Sequence, residues 1–233
     1  MKERIKFYGR KKGKKLKENR EKLLLNFLDK VKLDPEKSFE VTDIFSQSFD
    51  KHVLEIGFGG GEHIAAQSLK NQDTGYIGAE VFINGIASLL AHLTGHEGGE
   101  ALADGRVDNV RIFNDDVRLI LPSFKNNCFD KVYLLFPDPW PKTRHKARRF
   151  VNHPQLDELS RIMKSGGEFI VASDDMTYIR WALFVMSERK DFDIIWTKSE
   201  EYFTQPNGWE QTRYETKALN QEKKPVYLVF RKK

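Results

Sequence analysis

Apolar positions along this chain recur with two spacings, and each change of spacing marks a change of element. From Leu16 to Val31, the residues Leu23, Leu24, Phe27, Leu28 and Val31 fall at three- and four-residue steps, which predicts one helix face. Pro35 closes that helix. Short apolar runs at His52 to Ile56, Gly75 to Glu80, Val110 to Phe113, Cys128 to Phe136, Glu168 to Ala172, Phe192 to Trp196 and Val226 to Phe230 predict strands. Cys128 to Phe136 suits a central strand buried on both faces. Helical spacing fills the stretches up to about Lys70, from Asn84 to near Gly95, up to Leu121, from Pro154 to Met163 and from Thr177 to Glu188. Ser165-Gly166-Gly167 breaks the helix before the fifth strand. Ile179, Leu183, Phe184 and Met186 carry the last of these helical patterns, and Met163, Met176 and Met186 read as core filler. Strand and helix in alternation predict an α/β fold, a mostly parallel seven-stranded sheet with helices on both faces. No helical pattern separates the last two strands, which are therefore expected to pair antiparallel.

Composition narrows the setting. No apolar run approaches the ~20 residues of a membrane span, and the charged N-terminus argues against a secretory signal. A single cysteine, Cys128, leaves no intramolecular disulfide and no multi-cysteine zinc site, so a reducing cytoplasm is expected. The net charge of +5 is unevenly spread: residues 1–22 hold eleven Lys and Arg against three Glu, so +8 sits there and −3 in the rest. Residues 1–22 are read as a basic arm, with 1–15 lacking structure of their own, and 23–233 as a single domain. Such an arm suits a polyanionic partner; a merely solvated tail is the alternative.

Candidate chemistry collects at predicted strand ends, where open parallel sheets bind ligands. Glu55-Ile56-Gly57-Phe58-Gly59-Gly60-Gly61 follows the first strand, Glu80 ends the second, Asp115 follows the third and Asp138 the fourth. The glycine turn lacks the third glycine of a dinucleotide fingerprint; Glu62 stands there and would repel a pyrophosphate. A carboxylate-lined pocket instead suits the cationic sulfonium and amine of S-adenosylmethionine (SAM). Glu80 is placed to accept ribose hydroxyls, and Asp115 suits the adenine amine, unless it or Asp116 is simply a helix cap. Scattered histidines define no metal site.

Phe136-Pro137-Asp138-Pro139-Trp140-Pro141-Lys142 places three prolines within five residues, fixing a carboxylate, an indole and an ammonium after the buried strand. Arg144, His145, Lys146, Arg148 and Arg149 follow, a phosphate-gripping surface beside an aromatic platform. With Glu55-Ile56-Gly57-Phe58-Gly59, Ser173-Asp174 and Thr212-Arg213-Tyr214-Glu215, this loop resembles the bacterial tRNA (guanine-N7-)-methyltransferase family from Val53 to Phe230. The resemblance implies a class I SAM-dependent methyltransferase fold (Rossmann-like, last strand antiparallel). It also implies methyl transfer from SAM to N7 of a variable-loop guanosine in tRNA, with S-adenosylhomocysteine as product. By motif, Glu55, Gly57, Gly59, Glu80, Asp115 and Asp138 would bind SAM, with Asp138 also catalytic. Lys142, Asp174, Thr212, Arg213, Tyr214 and Glu215 would bind the nucleoside, Asp174 or Glu215 holding the guanine edge. No metal and no obligate protein partner are implied, and the chain is expected to act as a monomer or homodimer. Between Gly95 and Asn109 the loop is longer than is usual in that family. Three rivals remain: methylation of an exocyclic amine or small molecule, a non-catalytic RNA binder on the same fold, and a NAD-dependent oxidoreductase.

Overall fold

A computed structural model of the chain describes residues 6–34, 36, 37, 39–95, 108–196 and 198–233. Helix α1 spans Glu18–Val31, followed by β1 (Lys51–Ile56), α2 (Glu62–Lys70), β2 (Thr74–Ala79), α3 (Ile83–Thr94) and β3 (Val110–Phe113). The second half runs through β4 (Phe129–Leu135), α4 (His153–Ile162), β5 (Met163–Ser173), α5 (Met176–Ser187), β6 (Phe192–Ile194), α6 (Arg213–Leu219) and β7 (Val226–Lys232). The strands form one sheet in the order β3-β2-β1-β4-β5-β7-β6. All neighbours pair parallel except β7, which is antiparallel to both β5 and β6.

Alternation along the strands divides the core between the two faces of the sheet. Leu54 and Ile56 of β1, Val132 and Leu134 of β4, and Phe169 and Val171 of β5 point to the side covered by α4 and α5. Val53, Tyr133, Leu135, Ile170 and Ala172 point to the other, with α2, α3 and α1. Leu23, Phe27 and Val31 recur every four residues on α1 and are buried against Ile86, Leu89 and Leu90 of α3. Each such side chain contributes about 1.5–3 kcal/mol by leaving water. Strand order reverses between β2-β1 and β4-β5, so a crevice opens beyond the C-terminal ends of β1 and β4.

Several boundaries differ from the sequence reading. The expected division after residue 22 falls inside α1, whose apolar face belongs to the body. Pro35 and most of the 95–109 loop lie outside the described residues. β5 begins at Met163, and Ser165-Gly166-Gly167 forms an irregularity within it, with a shift of register against β4. α6 stands between the last two strands, where no helical pattern was legible. It is seven residues long and buries Glu215 and Ala218, so its inward face carries a polar residue that periodicity does not flag. Met176, read as core, is 46% exposed, and Phe184 of the same helix is 57% exposed.

Candidate active site

The crevice at the strand-order reversal holds a pocket of about 370 Å³. Its walls include Ile56, Gly57 and Gly59 at the end of β1, Glu80 after β2, Asp115 and Val117 after β3, and Leu134 to Asp138 at the end of β4. Gly59 lies under the Tyr214 ring, whose Cε2 would stand 3.0 Å from any added Cβ. A Cβ on Gly85 of α3 would come within 1.9 Å of the Gly59 carbonyl oxygen, so helix and turn meet with no room for a side chain.

Glu80 is buried at the floor. Its Oε2 accepts the Gly59 N–H at 2.7 Å, and its Oε1 accepts the Val81 and Phe82 N–H groups at 2.8 Å each. Burial pushes its carboxyl above the ordinary glutamate range, the three N–H donors pull it back, and nearby Asp138 raises it further. The Gly59 amide is thereby committed to a carboxylate and does not serve as a phosphate cradle, which disfavours the dinucleotide alternative. The acids at the strand ends divide by role. Asp116 caps the 3₁₀ turn Val117–Leu119, accepting the Arg118 N–H at 3.0 Å and pairing with its guanidinium. The capping alternative therefore belongs to Asp116. Asp115, half-buried, lines the pocket, accepts the Asp116 N–H at 2.8 Å and faces Lys11 at 4.0 Å.

Glu55 is a correction. It lies within β1, on the face toward α2, and is 2% exposed with Oε2 2.8 Å from His63 Nδ1. It is absent from the pocket lining, because strand alternation turns it away from Ile56. Its partner His63, dismissed in sequence as one of several scattered histidines, sits two residues into α2 against Tyr133 and Trp209.

The loop after β4 is held in an uncommon conformation. Phe136 and Trp140 adopt positive φ (49° and 43°), which side chains of this bulk rarely tolerate. Arg149 fixes it: its Nε donates to the Pro139 carbonyl and its Nη2 to the Trp140 carbonyl, both at 3.0 Å. Only 6% exposed and stacked on Trp181, Arg149 is a loop clasp, which corrects its reading as an RNA contact. Arg148 lies 4.0 Å from the Tyr8 ring centroid and 4.9 Å from that of Trp140. Lys142, Arg144 and Lys146 are exposed, and His145 meets the edge of Trp140.

Of the Thr-x-x-Glu motif, only Tyr214 reaches the pocket. Thr212 caps α6, its Oγ1 accepting the Glu215 N–H at 3.0 Å. Glu215 is fully buried; it accepts from Gln205 Nε2 at 2.6 Å, Tyr227 OH at 2.5 Å and Trp209 Nε1 at 2.7 Å. Its oxygens are taken up in holding this segment against β7, so it does not reach a guanine edge. Arg213 is exposed, 3.8 Å from Glu62. Asp174 is partly exposed and pairs with Lys223 at 2.8 Å.

Sequence reading also missed the near wall. Phe7, Tyr8, Gly9 and Arg10 line the pocket. The segment is tied down by Ile83 N–H to the Lys11 carbonyl at 3.1 Å, Gly13 N–H to Asn84 Oδ1 at 2.7 Å, and Asn84 Nδ2 to the Lys14 carbonyl at 2.8 Å. Residues 6–15 carry no helix or strand, as their composition suggests, yet they contact the body. The missed signal was Phe7 and Tyr8, two aromatics within a run of cations.

Comparison with known proteins agrees with this geometry. Residues 50–228 match a family described as "Putative methyltransferase". The chain is 40% identical to the tRNA (guanine-N(7)-)-methyltransferase of Rhodospirillum rubrum, over 99% of this chain and 89% of that protein. It is equally identical to the enzyme of that name from Paramagnetospirillum magneticum, over 99% and 94%. A crystal structure of the 16S rRNA methyltransferase KamB superposes with a TM-score of 0.54 over 79% of this chain and 89% of that one. At 14% identity the likeness to KamB is one of fold. Forty per cent identity sustained from end to end is a stronger relation: the chain belongs to the tRNA (guanine-N(7)-)-methyltransferase family.

Proposed function

We propose that this chain methylates N7 of a guanosine in the variable loop of tRNA, using SAM and leaving S-adenosylhomocysteine. The observation that carries the proposal is the pocket itself: a buried carboxylate, Glu80, at its floor and the strained Asp138 loop at its lip, flanked by exposed cations. Bound SAM supplies an electrophilic methyl group on a sulfonium, and three acidic residues in the lining (Glu80, Asp115 and Asp138) suit that positive charge. Glu80, already aimed by three backbone donors, would accept the ribose hydroxyls, and Asp115 the adenine amine. Gly57 and Gly59 let the ligand lie close to the turn.

Guanine N7 attacks with a lone pair and carries no proton, so the chemistry needs orientation more than a base. Asp138 orients the purine and stabilises the positive charge it acquires. Asp174, partly exposed and paired through Oδ2 with the exposed Lys223, would hold the opposite guanine edge by exchanging that pair, since Glu215 is buried and occupied. Lys142, Arg144, His145, Lys146 and Arg148 hold phosphates, offsetting the cost of drawing the base out of tRNA tertiary structure. We place the protein in the cytoplasm, acting alone or as a homodimer; no described helix is long and apolar enough to cross a membrane.

Incubation with labelled SAM and unmodified tRNA transcripts, followed by nucleoside analysis, tests this. The expected product is 7-methylguanosine, lost when the variable-loop guanosine is replaced. A different methylated nucleoside would overturn the site of transfer.

A further inference from the structure

Helix α5 presents two large apolar side chains and a cation on its outer face. Met176, Arg180 and Phe184 recur every four residues and so share one side, yet all three are exposed, Phe184 by 57%. Trp181 lies beside them, its ring centroid 6.1 Å from that of Phe184 with the planes tilted by 39°. Trp181 is itself fixed, donating from Nε1 to the Val151 carbonyl at 2.7 Å, with Lys146 Nζ 5.7 Å from its ring centroid. Acids near this face are engaged elsewhere. Asp175 caps α5, Asp174 pairs with Lys223, and Glu188 at the far end meets His153 at 3.0 Å. Among the described residues, Arg144, Lys146 and Arg180 have no carboxylate partner.

We propose that this face of α5 is a second RNA-docking surface, where Phe184 stacks a nucleobase of the tRNA while Arg180 and Lys146 contact its phosphates. An exposed aromatic step among unneutralised cations is the build of a single-strand platform, since stacking is tolerant of sequence and cations follow the backbone. Charge also selects RNA over a second copy of this chain, because an isologous contact would set this positive patch against the same positive patch. The surface is joined to the reaction loop: Trp181 carries Arg149, which holds the Pro139 and Trp140 carbonyls. RNA held on α5 therefore lies on the same rigid unit that presents Asp138.

The inference rests on tRNA being the substrate, and the test separates the two. Full-length wild type, Phe184→Ala and Arg180→Glu are compared for tRNA transcript affinity at two salt concentrations, KM for tRNA, SAM affinity, melting temperature and sedimentation. Phe184→Ala is expected to weaken tRNA binding and raise KM on the order of tenfold, without changing the salt slope. Arg180→Glu should weaken binding and flatten the slope by about one or more. SAM affinity and melting temperature should hold in both. Wild-type methylation of tRNA with unchanged tRNA affinity in both variants would overturn the docking surface alone. A change of oligomeric state in Phe184→Ala, in place of weaker RNA binding, would overturn it in favour of self-association. No 7-methylguanosine from the wild type would sink the substrate assignment instead.

Discussion

Asp138 and Glu80 face one pocket but do different work, and their environments say so. Asp138 is exposed at the lip, whereas Glu80 is buried with three N–H donors on its carboxylate. Asp138→Asn removes a charge while keeping shape, so kcat should fall about 100- to 1,000-fold, the usual cost of losing one group that stabilises developing charge. SAM and tRNA affinities should stay within a few-fold; near-normal kcat would show that Asp138 is not the charge-stabilising group. Glu80→Gln turns an amide NH₂ toward N–H donors that need acceptors, and SAM affinity should drop at least about tenfold by calorimetry. Wild-type SAM affinity should also depend on pH. Ribose hydroxyls donate to the ionised carboxylate, so binding favours that form. Affinity is then full above the Glu80 pKa and lost as pH falls through it. Burial first, and then Asp138, raise that pKa, so the loss begins above the ordinary glutamate range. SAM affinity that stays flat from pH 8 down through the ordinary glutamate range would exclude Glu80 as an ionised ribose acceptor.

At the scale of elements, the loop after β4 is a strained segment held by one side chain. Two bulky residues at positive φ cost on the order of 1–3 kcal/mol each, and the Arg149 bonds to Pro139 and Trp140 oppose their relaxation. In Arg149→Ala both carbonyls lose their partner and the loop can relax. We expect kcat to fall about tenfold or more with SAM affinity within a few-fold. Free guanidinium should restore part of the rate, a rescue that general destabilisation would not give; unchanged kcat would show that the loop holds itself. Sequence patterning made the strands and most helices legible because apolar burial repeats with fixed periods, as Leu54, Val132 and Phe169 show. It placed Glu80, Asp115 and Asp138 at the pocket because strand ends in a parallel sheet converge there. It misplaced Glu55, one residue inside its strand, because a single step along a strand moves a side chain to the opposite face. Arg149 and Arg148 are neighbours in one basic run, and only tertiary contacts reveal that one is buried on the loop carbonyls and the other lies against the Tyr8 and Trp140 rings. The motif Thr212 to Glu215 is likewise split by helix geometry, with Tyr214 pointing outward to the pocket and Glu215 inward to Tyr227.

On the scale of the whole molecule, the basic N-terminal segment bears on both ligands at once. Read from charge alone, residues 1–15 concern RNA only, and their removal should leave SAM binding untouched. The structure changes that expectation, because Phe7 to Arg10 form one wall of the pocket proposed to hold SAM. Deleting residues 1–15 opens that wall to water, and SAM affinity should fall about three- to tenfold. The Lys11–Asp115 contact adds little to this, since Lys11 is largely exposed, Asp115 only half-buried, and the separation is 4.0 Å. For tRNA two effects oppose. Eight Lys and Arg against one Glu are lost, which weakens binding and flattens its salt dependence. Yet Tyr8 lies on Arg148 and Trp140, and its removal frees both for RNA. The charge effect acts through many phosphates and should win, leaving a net loss smaller than the charge count implies. Calorimetry with SAM and anisotropy with labelled tRNA at two salt concentrations, on the intact and truncated chains, measure both terms. A truncated chain with the intact chain's SAM affinity would mean that the segment does not wall the pocket in solution, and its role would return to RNA alone.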